Sequence, residues 1–193
     1  VREFMCWGPL CENGKPISKD KGIDYINWVN TVKSYGYEFD SRLLNSADFG
    51  AFTSRERFFA QFAKKGLPIS WPKQTHSKNP NKYKDSLFDE DLKPWNAVKN
   101  LIDFSDEGKS IFERTKPLSD KTYERILAGC IKFIANGDTS FMHRYNGGNP
   151  EEKVKSTDLP LGTILTGNTH AIVQTSFIKE FYSGNPMGKV TSL

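Results

Sequence analysis

Cysteine is scarce in this chain of 193 residues, and long apolar runs are absent. The three cysteines, Cys6, Cys11 and Cys130, are an odd number without C-x-x-C spacing, which argues against a disulfide framework and against a zinc site. No apolar run approaches the roughly 18 residues that span a bilayer, and the first residues have no secretory character. We therefore expect an intracellular protein with reduced cysteines, no bound metal and no contact with a membrane.

Acidic residues are missing between Arg57 and Lys84, a segment that carries seven basic residues. Such a segment attracts polyanions through phosphate contacts, which add affinity without sequence specificity. Trp71, His76 and Tyr83 lie among the lysines and favour a nucleic-acid partner, and a solvated lysine-rich loop is the alternative. His76 has no second histidine or carboxylate at ligand spacing, so we expect it to make a loop hydrogen bond or a DNA contact.

The hydrophobic pattern of the first third predicts a helix followed by two strands, an arrangement typical of α/β proteins. A loop over residues 1–19 precedes a helix that starts at an Asp20 N-cap and stops at Gly36. The strands are predicted over residues 37–44 and 58–63. Their apolar faces need a larger structure to pack against.

The middle of the chain, residues 66–119, contains five prolines and is expected to be irregular, with a short helix over 95–102. A clear helix follows over 120–135, with Ser119 as its N-cap and Gly137 at its end. Its predicted apolar stripe consists of Tyr123, Ile126, Leu127, Cys130 and Ile134.

After Gly137 the sequence repeats itself with an offset of 36 residues. Residues 141–156 (FMHRYNGGNPEEKVKS) return as residues 177–192 (FIKEFYSGNPMGKVTS), with the Gly-Asn-Pro triplet and the Lys-Val pair in equivalent places. Each copy predicts a strand, a turn and a second strand. We therefore expect a small β-rich domain of repeated hairpins, and a chain that ends inside a larger architecture.

The tripeptide Arg55-Glu56-Arg57 stands directly before the second predicted strand. In β geometry Arg55 and Arg57 project to the same side and Glu56 to the other. Two guanidinium groups on one side suit a phosphate or the edge of a planar base. The alternatives are two solvated arginines on a surface strand, or an ion pair between Arg55 and Asp48.

The residues that precede this tripeptide follow a familiar order. Gly36-Tyr37 and a strand come before Leu44-Asn45-Ser46 and Asp48-Phe49-Gly50, and Arg55-Glu56-Arg57 ends the series. The series resembles the eighth conserved motif of the DNA cytosine-5 methyltransferases, which reads Gly-Tyr, a strand, Leu-Asn-Ala, Asp-Tyr-Gly and Gln-x-Arg-x-Arg. One element departs, because Phe52-Thr53 replaces the family's Pro-Gln. A threonine there can still accept or donate one hydrogen bond.

The resemblance implies a partial S-adenosylmethionine-dependent methyltransferase domain of α/β class, α+β in the isolated fragment, followed by a small β-rich target recognition domain. By this division, residues 1–65 form the late part of the catalytic domain, residues 66–137 an irregular connecting region, and residues 138–193 a truncated target recognition domain. The placement of Val1 resembles that of the valine in the family's Glu-Asn-Val motif with its first two residues missing, so Glu3 is not assigned as the catalytic acid. The family's nucleophilic cysteine stands in a Pro-Cys motif, and none of the three cysteines here follows a proline, so the resemblance assigns none of them this role. By the same resemblance, the catalytic glutamate of the Glu-Asn-Val motif and the glycine-rich turn that binds S-adenosylmethionine have no counterpart in this chain.

By the same resemblance, Arg55 and Arg57 position the target cytosine and the DNA phosphate. Further DNA contacts are expected from two groups of polar and basic residues, and for each of them a turn or solvent role is the alternative. The first group is Lys73, Thr75, His76 and Lys78, and the second is Arg144, Asn146, Lys153, Lys155, Thr166, Asn168 and His170.

These features predict a fragment of a DNA cytosine-5 methyltransferase, of restriction-modification or phage type, that acts on double-stranded DNA in the cytoplasm of a bacterial or phage-infected cell. The intact enzyme would use S-adenosylmethionine, whereas the fragment alone is expected to bind no cofactor and to be inactive. The alternative is a non-enzymatic DNA-binding specificity module or subunit, whose separate partner chain carries the missing catalytic portion. An accidental motif match in an unrelated globular domain is a third interpretation.

Overall fold

The computed structural model describes residues 2–18, 22–80, 91–106, 108–167, 169–179 and 190–192. The chain divides into two compact units, Val1–Trp95 and Asn96–Leu193, each with helices and strands. The α-helices are α1 (Ile23–Ser34) and α2 (Asp120–Lys132). The strands are β1 (Tyr37–Asn45), β2 (Glu56–Lys64), β3 (His76–Ser77), β4 (Lys93–Pro94), β5 (Ser140–Arg144), β6 (Val154–Ser156), β7 (His170–Gln174), β8 (Phe177–Lys179) and β9 (Val190–Ser192). Within these ranges, neither helix is long and apolar enough to cross a bilayer.

The first helix, α1, begins later than its expected cap. Gly22 occupies the N-cap position with an extended backbone, and Asp20, the predicted cap, lies outside the described residues. The predicted end is confirmed, because the helix stops just before Gly36, whose φ of 87° favours glycine. Tyr25 and Val29, one turn apart, are buried and define the face of the helix that packs.

Strands β1 and β2 form an antiparallel pair that runs from Tyr37 opposite Lys64 to Asn45 opposite Glu56. One face of this pair is covered by α1 and the short N-terminal 3-10 helix. Aromatic rings fill the space between them, and the closest centroids, those of Phe39 and Phe62, are 4.7 Å apart. The other rings of this cluster are Phe4, Trp7, Tyr25, Trp28 and Phe58.

A short parallel pairing brings two distant segments of the first unit together. His76 pairs with Lys93, and Ser77 with Pro94. The backbone amide of Thr75 also donates to the carbonyl of Asp48 at 3.0 Å. The basic segment is thereby attached to the loop that follows β1.

The second unit is built around α2 and a three-stranded antiparallel sheet in the order β6-β5-β7. Its buried core consists of Ile126 from the helix, Phe141 from β5 and Val154 from β6. Gly129 is essential to this contact, because a Cβ there would lie 2.0 Å from the ring of Phe141. The helix and the sheet therefore approach closely at one glycine.

The buried face of α2 differs from the predicted apolar stripe. Leu127 is 61% exposed and Ile131 is 63% exposed, whereas Thr122, Arg125, Ile126 and Gly129 are buried. The prediction was wrong for Leu127 and for Tyr123, which is 39% exposed, because the helix meets the sheet where Gly129 contacts the ring of Phe141. Cys130 and Ile134 are partly buried against the core, as predicted. The helix thus packs through Ile126 and Gly129, and the polar residues Thr122 and Arg125 are buried on the same face. Ser119 is the N-cap residue as expected, although its side chain makes no capping bond.

The two copies of the repeat fold into hairpins with the same register. β5 pairs with β6 so that Phe141 lies opposite Ser156, and β8 pairs with β9 so that Phe177 lies opposite Ser192. The second pairing is the first one moved by 36 residues, which is the offset of the sequence repeat. The turn of the second copy lies outside the described residues.

Short 3-10 helices replace regular structure elsewhere. The helix expected over 95–102 is one such turn, Val98–Leu101, and the predicted end of the second helix becomes another, Ile134–Asn136, before Gly137 with φ 99°. Other 3-10 helices among the described residues are Arg2–Cys6, Ser46–Phe49 and Pro150–Lys153.

Candidate nucleic-acid interface

Arg55 and Arg57 face the same side of the β1–β2 pair, as their spacing predicts. They line one groove of about 460 Å³ together with Phe59 and Gln61, which continue the same alternation along β2. Leu44 joins them because it lies opposite Arg57 in the sheet. The rest of the groove is lined by Ser46, Phe49, Trp71 and Pro72.

The loop between the two strands fixes the backbone of Arg55 through a polar network. The side-chain oxygen of Asn45 accepts from the amides of Ala47 at 3.2 Å and Arg55 at 3.0 Å. The Ser46 hydroxyl accepts from the same Arg55 amide at 3.1 Å and donates to the Thr53 carbonyl at 2.6 Å. Asn45 and Ser46, both part of the quoted motif, therefore hold the start of β2 in place.

Asp48 does not pair with Arg55. Its carboxylate accepts a hydrogen bond from the indole nitrogen of Trp95 at 2.9 Å. Gly50, with φ 86°, brings the same loop against the ring of His76, where a Cβ would lie 2.9 Å from Cε1. The Asp-Phe-Gly element therefore anchors the loop, and Arg55 stays exposed.

Trp71 covers the open face of the sheet at the edge of the groove. Its indole nitrogen donates to Asp40 at 2.7 Å, and the guanidinium of Arg42 lies 5.0 Å from its ring centroid. Gln61 donates to the carbonyl of Ser70 at 2.7 Å and holds the same segment down. Asp40 and Arg42 were not predicted from the sequence, although their alternation with Leu44 was a usable signal.

Three of the four DNA contacts predicted in the basic segment lie together. Lys73, Thr75 and His76 line a second cavity of about 530 Å³, and Lys78 is exposed outside it. The His76 Nδ1 is 2.8 Å from the Thr75 hydroxyl, so this histidine makes a local hydrogen bond. No group of three or more histidine, cysteine, aspartate or glutamate side chains suitable for a metal is found in the described ranges.

In the second unit, Arg144, Lys155 and His170 share the face of the sheet that points away from α2. Arg144 lies opposite His170, and Lys155 lies opposite Met142, which is two residues from Arg144. Gly162 approaches this pair so closely that a Cβ would lie 3.0 Å from Nε2 of His170. The strands thus gather three basic residues that are separated in sequence.

Thr166 and His170 also line a cavity of about 420 Å³ in the second unit. Burial lowers the pKa of His170, and the charges of Arg144 and Lys155 lower it further. A histidine in this setting is neutral near pH 7, so one of its ring nitrogens can donate and the other can accept.

Two more predicted DNA-binding residues, Asn146 and Lys153, lie between β5 and β6 in the chain. Asn146 is exposed, and its carbonyl accepts from Arg125 at 3.3 Å. The side chain of Lys153 lies against Gly148. Asn168 lies outside the described residues.

A family model named C-5 cytosine-specific DNA methylase matches residues 10–185, which is most of the chain and includes the groove, the basic segment and most of the β-rich region. The chain belongs to the C-5 cytosine-specific DNA methylase family. A curated relative, the type II methyltransferase M.AquIA of Picosynechococcus sp., is 34% identical over 70 residues. Those residues are 36% of this chain and 28% of that relative's length. No solved structure matches the chain.

The thiol of Cys130 is poorly suited to the nucleophilic chemistry of a cytosine-5 DNA methylase. Cys130 is half-buried against the core of the second unit, and burial raises the pKa of its thiol. A raised pKa leaves little thiolate near neutral pH. Cys6 is half-buried and Cys11 is exposed, and neither lines a groove described above.

Proposed function

We propose that this chain contributes DNA contacts to a DNA cytosine-5 methyltransferase of restriction-modification or phage type, and that it does not transfer methyl groups alone. The proposal rests on one observation, which is that Arg55 and Arg57 line the same groove on one side of the β1–β2 pair. Membership of the methylase family supports a DNA substrate, which we propose is double-stranded and contains cytosine. The groove supplies the chemistry by which such DNA is held.

The groove combines cationic and aromatic surfaces. Arg55 is exposed, so its guanidinium is available to a phosphate. Phe49, Phe59 and Trp71 add flat apolar surface of the kind on which a base removed from the duplex can stack. In this role Arg57 holds the target cytosine and Arg55 the adjacent phosphate.

The same groove does not suit S-adenosylmethionine. The sulfonium of this cofactor is positively charged, and the groove is lined by two arginines and by no carboxylate among the described residues. We therefore assign the cofactor, on which the family depends, to a portion of the intact enzyme that carries a different site. No step of the methyl transfer is assigned to the residues of this chain.

The first test measures methyl transfer and DNA binding with the 193-residue chain. With labelled S-adenosylmethionine and duplex DNA, we expect no incorporation, and clear incorporation would contradict the proposed role. In a binding titration, Arg55→Ala and Arg57→Ala should each weaken duplex affinity about tenfold, because each removes one charge-assisted interaction. Arg114→Ala, an exposed arginine of the second unit, is the matched control and should bind as the wild type does.

The second test concerns the basic segment. Phosphate contacts release counterions, so duplex affinity should fall steeply as salt rises. Lys73→Ala combined with Lys78→Ala should reduce the slope of log affinity against log salt by about one unit for each lysine–phosphate interaction removed. Lys109→Ala with Lys116→Ala, two exposed lysines of the second unit, should leave that slope unchanged. Equal slopes in all three proteins would exclude the basic segment from the DNA contact.

A second candidate function is a non-enzymatic specificity subunit that acts with a partner chain. The raised thiol pKa of Cys130 and a groove unsuited to the cofactor favour it as much as they favour a fragment. The two candidates predict different gene arrangements. One reading frame that continues upstream to a Pro-Cys motif supports the fragment, and a separate neighbouring frame that carries this motif supports the subunit.

A further inference from the structure

Arg125 and His143 are buried polar side chains, and each has one ring or guanidinium nitrogen that makes no hydrogen bond among the described residues. Arg125 is 5% exposed and His143 is 2% exposed. The buried Nε of Arg125 and the buried Nδ1 of His143 have no hydrogen-bond partner among the described residues. Neither residue is part of the DNA contacts proposed above.

Arg125 and His143 both lie near the contact between α2 and β5. Gly129 seats on the ring of Phe141, and Arg125 lies one turn before Gly129, about 6 Å back along the helix axis. His143 lies two residues beyond Phe141 on the same side of β5, about 6.6 Å along the strand. Arg125 also donates to the carbonyl of Asn146, three residues beyond His143, and its charge lowers the pKa of His143, so the two side chains lie close together.

The charge of Arg125 is uncompensated in the part of the chain that is described. No ion pair joins it to a carboxylate there, and its one described hydrogen bond is the 3.3 Å contact from Nη2 to the Asn146 carbonyl. A buried guanidinium that lacks an anion is costly, and arginine presents several donors in a planar fork that matches tetrahedral oxyanions. An anion with several acceptor oxygens would neutralise the charge of Arg125 and accept a hydrogen bond from its Nε.

We propose that Arg125 and His143 form a binding site for an oxyanion of the phosphate class, at the foot of the loop Asn146–Asn149. This loop is exposed, and a Cβ at Gly147 would meet no atom within 4 Å, so the surface at Gly147 is open to solvent. Arg125 donates to the carbonyl of Asn146, the first residue of this loop. The phosphate comes either from a DNA backbone or from free phosphate in solution, since both present the same oxygens.

Sulfate is the probe of choice, because its charge stays constant across the neutral pH range. The melting temperature of the 193-residue chain is measured in millimolar sulfate and in chloride at equal ionic strength. Saturation of one site should raise the melting temperature by about 4 °C or more above the chloride value. Equilibrium dialysis with labelled sulfate should give one bound ion per chain.

Arg125→Met keeps the length of the side chain and removes the charge. This variant should melt at a higher temperature than wild type without sulfate, and sulfate should not shift it. Arg125→Lys and His143→Gln should retain a reduced shift, and they keep the test decisive if the methionine variant does not fold. Arg114→Met, at an exposed arginine, is the control and should show the full shift.

The site would be refuted if wild type showed no sulfate shift beyond chloride, or if Arg125→Met and wild type shifted equally. Duplex titration then separates the two sources of phosphate. A roughly tenfold loss of duplex affinity in Arg125→Met, together with competition by sulfate, assigns the site to the DNA backbone. Unchanged duplex affinity with retained sulfate binding in wild type assigns it to free phosphate. The sulfate measurements do not depend on the proposed methyltransferase role, so either proposal can fail alone.

Discussion

The two units treat arginine in opposite ways. In the first, Arg55 is exposed, and a network centred on Asn45 and Ser46 fixes its backbone while its charge stays in water. In the second, Arg125 on α2 is buried. Among the described residues its guanidinium donates to one carbonyl and contacts no carboxylate. An exposed guanidinium is ready for a ligand at little cost, whereas a buried one is satisfied only when an anion joins it.

The largest effect is expected from a substitution that disrupts the helix–sheet contact beside the buried Arg125. Gly129→Ala places a methyl group within 2.0 Å of the Phe141 ring and should reduce the free energy of unfolding of the second unit by about 3 kcal/mol. The first unit should keep its stability. Urea unfolding followed by tryptophan fluorescence and by circular dichroism separates the two responses, because Trp7, Trp28, Trp71 and Trp95 all belong to the first unit.

Gly147→Ala is the matched control for that substitution, because a Cβ there meets no atom within 4 Å and the backbone needs no positive φ. It should change the free energy of unfolding by less than about 0.5 kcal/mol. Equal losses in the two variants would contradict the close approach of Gly129 to the sheet.

The next largest effect is expected from a substitution that removes hydrogen bonds in the loop between β1 and β2. Asn45→Ala removes the acceptor for the amides of Ala47 and Arg55 and should cost about 2 kcal/mol of unfolding free energy. If the loop positions Arg55, duplex affinity should also fall as far as in Arg55→Ala. Asn136→Ala, which loses one exposed hydrogen bond to the Lys132 carbonyl, is the control and should keep duplex affinity.

A pH titration sharpens the comparison through the histidines of the second unit. Burial lowers the pKa of His143, and the charges of Arg125 and His170 lower it further, while the pKa of His170 is also lowered. Below about pH 6.5 the unfolded chain therefore binds protons that the folded unit does not, so stability falls as pH decreases. The slope should reach at most about 1.4 kcal/mol per pH unit for each histidine.

His143→Gln should flatten this dependence, and His76→Gln, in the first unit, should leave it in place. The free energy of unfolding is measured in urea between about pH 5 and pH 8, the range in which histidines titrate. A second unit that gains stability on acidification would contradict the neutral state of both histidines.

The smallest expected effect concerns the exposed ion pair of Lys99 and Asp158. A hydrogen bond from the lysine to this carboxylate and the charge of Asp158 raise the pKa of Lys99. Exposed pairs are screened by water and salt, so Lys99→Met should shift the melting temperature less than any destabilising variant above. A loss comparable with that of Gly129→Ala would show that surface charge matters more in this unit than burial.

The local features of the chain followed from its sequence. Alternation of side chains predicted that Arg55 and Arg57 share a side, and the groove they line agrees with it. The 36-residue repeat predicted paired strands, and the two pairings have the same register. Both are short-range patterns, in which the period of two and the turn residues act within a few positions.

The prediction that was wrong, and the features that were not predicted, depend on contacts between segments that are distant in sequence. The stripe of α2 contained Leu127, yet the helix packs through Gly129 because one ring of β5 fits there. Asp40 and Trp71 form a hydrogen bond across 31 positions of sequence, and no local pattern connects them. The surroundings of Arg125 and His143 likewise arise only when helix and strand meet.

The sequence by itself determined the family, the strands that carry the two arginines, and the repeated hairpin, because motif order and side-chain alternation are written along the chain. Only the tertiary structure decided which face of α2 is buried, which basic residues share a surface, and that Arg125 lies next to His143 with no carboxylate partner among the described residues. The physical reason is that burial and charge compensation depend on neighbours brought from far along the chain, and packing alone selects those neighbours.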